Sequence, residues 1–122
     1  EYAARAGSSS EYSWGNSASS SRANYSDSGY SKTVAVKSYS PNAFGLYDMH
    51  GNVMEWVQDC WNASYSGAPS NGQAWQSGDC SSHVLRGGSW NFPADFVRSA
   101  SRYYFTAGDR YTVIGFRLVQ DR

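Results

Sequence analysis

The chain has 122 residues and a mass of 13.4 kDa, the size of one domain or part of one. Ten Lys and Arg offset ten Asp and Glu, and no basic run is present; nucleic acid and anionic membrane surfaces, both gripped by clustered cations, are therefore excluded as partners. No stretch reaches the roughly 18 apolar residues that membrane insertion requires, and 16% aromatic content, with ten Tyr and five Trp, is too much burial-prone surface for a disordered chain.

Leu, Lys and Glu are scarce, which argues against a helical bundle. In chain order, residues 1–7 (Glu-Tyr-Ala-Ala-Arg-Ala-Gly) read as the last turns of a helix stopped by Gly7 at its C-cap. No N-cap precedes that helix, so the expectation is that residues 1–122 are the C-terminal part of a single domain. The upstream part of the same protein would then be its neighbour. Residues 8–40 are rich in Ser, Gly, Asn and Tyr. Tyr12, Trp14, Tyr25 and Tyr30 punctuate them as anchors and predict an ordered loop rather than a linker. The alternation of Thr33–Lys37 predicts a short strand. Between 41 and 61, Gly and Asn recur so often that long regular elements are not expected.

Cys60 and Cys80 flank a polar excursion. They belong to no CxxC pair, and two histidines are too few for a zinc set. A disulfide would staple the loop by about 3 kcal/mol; two partly buried thiols are the alternative. The bonded reading suits an oxidising setting, extracellular, at a cell surface or on a virion. Val84–Trp90 reads as a strand entering a Gly87-Gly88 turn, and Ile114–Val119 as a final strand.

Four stretches match one family together: Glu1–Arg5, Trp14-Gly15-Asn16, Asn42–Trp56, and Leu85–Trp90 with Gly115-Phe116-Arg117. In that order and spacing the chain resembles the formylglycine-generating-enzyme (sulfatase-modifying factor) domain. The resemblance implies an α+β, C-type lectin-like fold of short strands and irregular loops, with the N-terminal part of that domain missing from this chain. It also implies a structural calcium held by Asp48 and Glu55 with the backbone oxygens of Gly51 and Val53, oxygen ligands of the kind hard cations prefer. A second family site would fall at Asn24, Tyr25 and Asp27–Tyr30, where Ser28 replaces the expected acid. The family's enzyme holds copper with two cysteines shortly after its Gly-Gly-Ser motif. Here residues 90–98 contain none, so no copper and no catalytic residue is expected. No serine sits in a nucleophile motif either.

The segment 90–117 alternates between two kinds of residue. Trp90, Pro93, Val97–Ala100, Arg102, Thr106–Gly108, Arg110 and Ile114–Arg117 form a frame. Asn91, Phe92, Ala94, Ser101, Tyr103, Tyr104, Phe105, Asp109, Tyr111 and Thr112 interrupt it. This pattern resembles the variable region of proteins diversified by retroelements, in which adenines of asparagine codons are randomised. Phe, Ala, Ser, Tyr, Asp and Thr are reachable from such codons. Lys, Glu, Gln, Met and Trp are not, and none occurs from 91 to 113. Tyr-rich surfaces give rigid contact area at low entropic cost, and three consecutive aromatics (103–105) cannot all face one side of a strand. The arginines at 86, 98, 102, 110 and 117 are expected to hold loops by donating to backbone carbonyls, and Trp90 and Phe116 to lie in the core.

Two functions from different classes follow. One is a non-catalytic, receptor-like protein whose diversified C-terminal surface binds varied targets, a protein or another cell-surface ligand. The other is a sulfatase-modifying-factor enzyme or accessory domain that has lost its copper-binding cysteines.

Overall fold

A computed structural model describes residues 1–120. A short helix, α1 (Tyr2–Arg5), is followed by nearly fifty residues of irregular chain and then by a four-stranded sheet. Its strands are β1 (Met54–Trp61), β2 (Asp79–Arg86), β3 (Arg102–Thr106) and β4 (Ile114–Gly115), in the order β3-β2-β1-β4. The pairs β1·β2 and β2·β3 are antiparallel, while β4 runs parallel to β1. Single 3-10 turns occupy Ser26–Ser28 and Ala94–Val97.

The core is small. Met54 and Leu85, from the two central strands, are each 1% exposed, as is Val97. Val97 joins Tyr12, Ala23 and Tyr25 in a cluster beneath the irregular segment, with Trp14 and Ala94 packed against it. Because so few residues are in ladders, side chains supply the backbone's partners. Asn42 donates to Ala3 O at 2.7 Å and accepts from the N–H groups of Phe44 and Leu46. Asn24 donates to Lys32 O and to Asn52 Oδ1, which also accepts from Val34 N at 2.9 Å. Residues 8–40 are thus an ordered loop anchored by Tyr12, Trp14 and Tyr25 as predicted, whereas Tyr30, also expected as an anchor, is 54% exposed.

Gly51 (φ 74°) lies so close to Asn24 that a Cβ would collide with the Asn24 carbonyl oxygen. At Gly88 (φ 69°) a Cβ would meet Phe96 O at 2.6 Å. Both positions need left-handed backbone and a bare α-carbon.

Several local expectations are corrected. The helix ends at Ala6, itself left-handed at φ 48°, one residue before Gly7. Residues 33–37 form no strand, because Val34 gives its N–H to the Asn52 side chain instead of a ladder. Conversely, the Gly/Asn-punctuated stretch runs into the eight-residue β1, whose pattern is broken by register shifts on both sides of Cys60. β4 is only two residues long, and Phe116 just beyond it is 74% exposed rather than core. Trp90 is half-buried, its indole N–H donating to Thr112 O at 3.4 Å. Cys60 and Cys80 are bonded, tying the end of β1 to the start of β2.

Candidate functional site

The frame-interrupting aromatics converge on β3 and the segments beside it. The bond from Ala107 N to Ser81 O (2.9 Å), with Ser82 opposite Thr106, sets the phase of the β2·β3 ladder. Tyr103 and Phe105 therefore project to one side of the strand, and Arg102, Tyr104 and Thr106 to the other. On the first side Tyr103 lies edge-on to Phe105 with ring centroids 5.3 Å apart and reaches Phe92 at 5.6 Å. Phe105 continues to Tyr111 at 4.9 Å, and Phe92 to Phe96 at 5.3 Å. On the second side Tyr104 stacks on Trp61 at 4.3 Å. Aromatic pairs at these separations are favourable beyond simple burial. All five predicted aromatics thus belong to one connected array. Tyr103, Tyr104 and Tyr111 are exposed and Phe92 and Phe105 half-buried.

The other candidate positions divide. Asn91 and Thr112 are exposed and Asp109 is half-buried near the Tyr111 end. Ser101 turns inward and donates to Asp95 O at 2.6 Å, and Ala94 packs against the Tyr12 cluster. These two sit at the base of the surface rather than on its face.

Three neighbours lie outside the predicted set: Trp61, Tyr65 and Phe96. The Arg102 guanidinium lies over Trp61 (4.9 Å) and Tyr65 (4.3 Å) and donates to the carbonyls of Asn62 and Ala63. The disulfide-closed loop is thereby held beside β3. Trp61 follows Cys60 directly, which is the sequence signal that could have placed it here.

Arg86, Arg98 and Arg102 behave as backbone clamps, Arg117 divides its donors between Glu55 and two carbonyls, and Arg110 bonds to no carbonyl among the described residues. Arg86 donates to the carbonyls of Ser99, Ala100 and Ser101, gathering the chain just before β3. Arg98 donates to Asp95 O. His50, buried beneath this segment, gives and takes one hydrogen bond: Nδ1 pairs with Val97 O at 2.7 Å, and Nε2 accepts from Ser13 N at 3.3 Å. Burial pushes its pKa below the ordinary histidine value, with the Val97 hydrogen bond partly opposing, so a neutral imidazole links three segments.

The turn carrying Asp48, Gly51, Val53 and Glu55 brings one further cluster together. Arg117 donates to both carboxylate oxygens of Glu55, at 2.6 Å each, and to the carbonyls of Tyr47 and Asp48. Asp48 accepts from Lys37 N through one oxygen. Among the described residues, no hydrogen bond reaches its other oxygen or the carbonyls of Gly51 and Val53. Such oxygens are of the type a hard cation takes, while both Glu55 carboxylate oxygens are already engaged by Arg117. At the second position Ser28 is consumed by a cap, bonding Tyr25 N and Ala23 O, while the buried Asn24 Oδ1 has no hydrogen-bond partner. Copper has no fit at all. The two cysteine sulfurs are joined to each other, so neither is a thiolate able to hold it.

Comparison with known proteins places this geometry. A sulfatase-modifying factor enzyme 1-like domain model matches residues 1–122. The structure of PvdO from Pseudomonas aeruginosa is 43% identical with a TM-score of 0.85, over 94% of this chain and 47% of its own. Treponema denticola variable protein 1 is 34% identical with a TM-score of 0.79, over 94% of this chain and 42% of its own. The formylglycine-generating enzyme of Streptomyces coelicolor is 30% identical across 99% of this chain and 44% of its own length. The chain therefore spans less than half the length of these relatives. Its fold is the C-type lectin-like fold of the formylglycine-generating-enzyme type.

Proposed function

The chain belongs to the sulfatase-modifying factor enzyme 1-like family, and from that premise we propose that it is a non-catalytic binding protein whose surface around β3 is diversified by a retroelement. The observation that carries this reading is the aromatic array itself. Phe92, Tyr103, Tyr104, Phe105 and Tyr111 are all frame-interrupting residues, and they form one connected patch. Aromatic patches open to solvent mark interaction sites. The backbone beneath is held by Arg86, Arg98, Arg102 and His50, none of them frame-interrupting, so the side chains above can change without loss of the fold. Likeness to Treponema denticola variable protein 1 supports the same reading.

The targets are proteins displayed on a surface, and the chain works outside the cell, where the Cys60–Cys80 bond persists. Enzymatic activity of the formylglycine-generating kind is disfavoured by chemistry: with both cysteine sulfurs in that bond, no thiolate remains among the described residues to hold copper. Calcium held by Asp48, the carbonyls of Gly51 and Val53, and Glu55 would stiffen the turn that leads into β1.

The gene tests the proposal. A near-identical repeat is expected near the coding sequence, differing from it only at adenines of the repeat, and clones should vary at Phe92, Tyr103, Tyr104, Phe105 and Tyr111 while Arg98, Arg102 and Gly115 stay fixed. Equal variation at frame and interrupting codons would sink it.

A further inference from the structure

The strand carrying the diversified aromatics is also an edge of the sheet, and its outward main-chain groups are unpaired. The order β3-β2-β1-β4 leaves β3 with one neighbour. Given the ladder's phase, Tyr103, Phe105 and Ala107 exchange hydrogen bonds with β2, whereas Arg102, Tyr104 and Thr106 aim their N–H and C=O groups away from it. Of these outward groups, Thr106 O accepts from Asp109 N at 3.0 Å. Outside the ladder with β2, from which their phase turns them away, no hydrogen bond among the described residues reaches the carbonyls of Arg102 and Tyr104 or leaves the amides of Tyr104 and Thr106.

Soluble proteins ordinarily blunt such an edge with Pro, Lys, a bulge, or a covering loop. β3 carries no Pro, Lys or bulge, and the loop that Arg102 holds beside it gives its outward main-chain groups no hydrogen bond among the described residues. Its sequence is Arg-Tyr-Tyr-Phe-Thr, its pairing with β2 is regular across all five residues, and its one charge is drawn aside onto Asn62 and Ala63. Tyr and Phe favour extended chain. The free edge therefore lies at the centre of the aromatic array.

Resting on the reading of this patch as a binding surface, we infer that β3 takes its partner by strand addition, pairing with an extended, weakly charged segment of a target protein. Strand addition divides the labour between backbone and side chains. The carbonyls of 102 and 104 and the amides of 104 and 106 do not change when the codons do, so they supply an affinity common to all variants. The side chains at 103, 104, 105 and 111 then select which segment is retained. A surface whose side chains are replaced at random keeps a constant source of hydrogen bonds in this way. An uncharged 103–105 run also matches a segment with few charges, because unpaired charges opposite it would be desolvated without compensation.

The experiment pans a phage library of unconstrained twelve-residue random peptides on the immobilised chain, then follows a selected synthetic peptide by calorimetry and amide exchange. The amides of Tyr104 and Thr106 should exchange fast in the free protein and become protected with peptide bound. Thr106→Pro should weaken that peptide by about tenfold relative to Thr106→Ala, the loss expected for a main-chain hydrogen bond and its displaced neighbours. Proline is tolerated at an edge where the N–H faces outward; if the variant does not fold, the exchange measurement on the unaltered chain decides. Peptides weakened by Tyr103→Ala and Tyr104→Ala, with the two amides still unprotected, would overturn strand addition while leaving the binding surface in place. Peptides indifferent to both alanine variants would instead overturn the surface reading beneath it. Protection of the same amides through concentration-dependent dimers would assign the edge to a second copy and also overturn the inference.

Discussion

Two tyrosine-bearing stretches of this chain put key rings to opposite uses. Residues 8–53 and 91–113 both carry several tyrosines and lack long apolar runs, though the first is far richer in Ser and Asn. In the first, Tyr12 and Tyr25 are 2% and 5% exposed, and Tyr12 Oη donates to Ala94 O at 3.0 Å. In the second, Tyr104 and Tyr111 are 47% and 53% exposed. The difference lies in what surrounds each ring. The N-terminal tyrosines meet Ala23, Val97 and Ala94, small or branched residues that fill the space between rings. The C-terminal rings meet one another and Trp61 along an edge strand, where they stay largely open to solvent. A tyrosine-rich segment is inward or outward according to whether the fold supplies apolar partners for it, not according to its own composition.

That contrast can be broken first at its buried end. Tyr12→Ala removes a stacked partner of Trp14 (5.1 Å between centroids), a neighbour of His50, and the hydrogen bond to Ala94. It should destabilise the chain by about 3–5 kcal/mol, the usual cost of deleting a buried aromatic. Chemical denaturation measures this directly. A loss under 1 kcal/mol would show that the loop does not share the core.

The turn at the end of the first stretch gives the next largest effect. If calcium is held by Asp48, Gly51, Val53 and Glu55, saturating ion should raise stability by about 2.7 kcal/mol at a hundredfold excess over its dissociation constant. A chelator should lower the melting temperature correspondingly, and Asp48→Ala should remove that sensitivity. Melting curves that ignore chelator, with no calcium found by elemental analysis, would leave Arg117 as the sole cation bridging Glu55 to the turn.

Much of this was legible in the residues, for reasons that differ by element. The disulfide was readable because twenty residues separate two cysteines that have no metal partners. The roles of Arg86, Arg98 and Arg102 were readable because a guanidinium with five donors suits crowded carbonyls. β1 was not. Its Gly and Asn neighbours at 51 and 52 mark a turn before the strand, and the register shifts around Cys60 blur its alternation. Phe116 misled because its place in an alternating run implied a long strand, yet β4 stops at Gly115, where a Cβ would press on Val53 Cγ2 at 2.8 Å. Tyr65 was missed as part of the surface because its approach to β3 depends on Arg102, a contact distant in sequence that no local pattern encodes, while Trp61 had only its place beside Cys60 to mark it.

The smallest expected change is the most discriminating. Tyr104→Ala and Tyr111→Ala each remove a ring that is about half open to solvent, so little burial is forfeited, and surface substitutions of this kind stay within about 0.5 kcal/mol. Tyr104 also loses its stack on Trp61, whose open rim limits the cost. If these rings exist to meet a partner, the same substitutions should weaken that partner's binding by roughly 1–3 kcal/mol each, so stability and binding part company at these positions and move together at Tyr12. Thermal melts of the three variants, compared side by side, need no knowledge of the target. Should Tyr104→Ala or Tyr111→Ala melt as early as Tyr12→Ala, the rings hold the fold together and the patch is an outlying part of the core. A near-wild-type melt for both places the whole burden of these aromatics outside folding, where a surface rewritten codon by codon has to carry it.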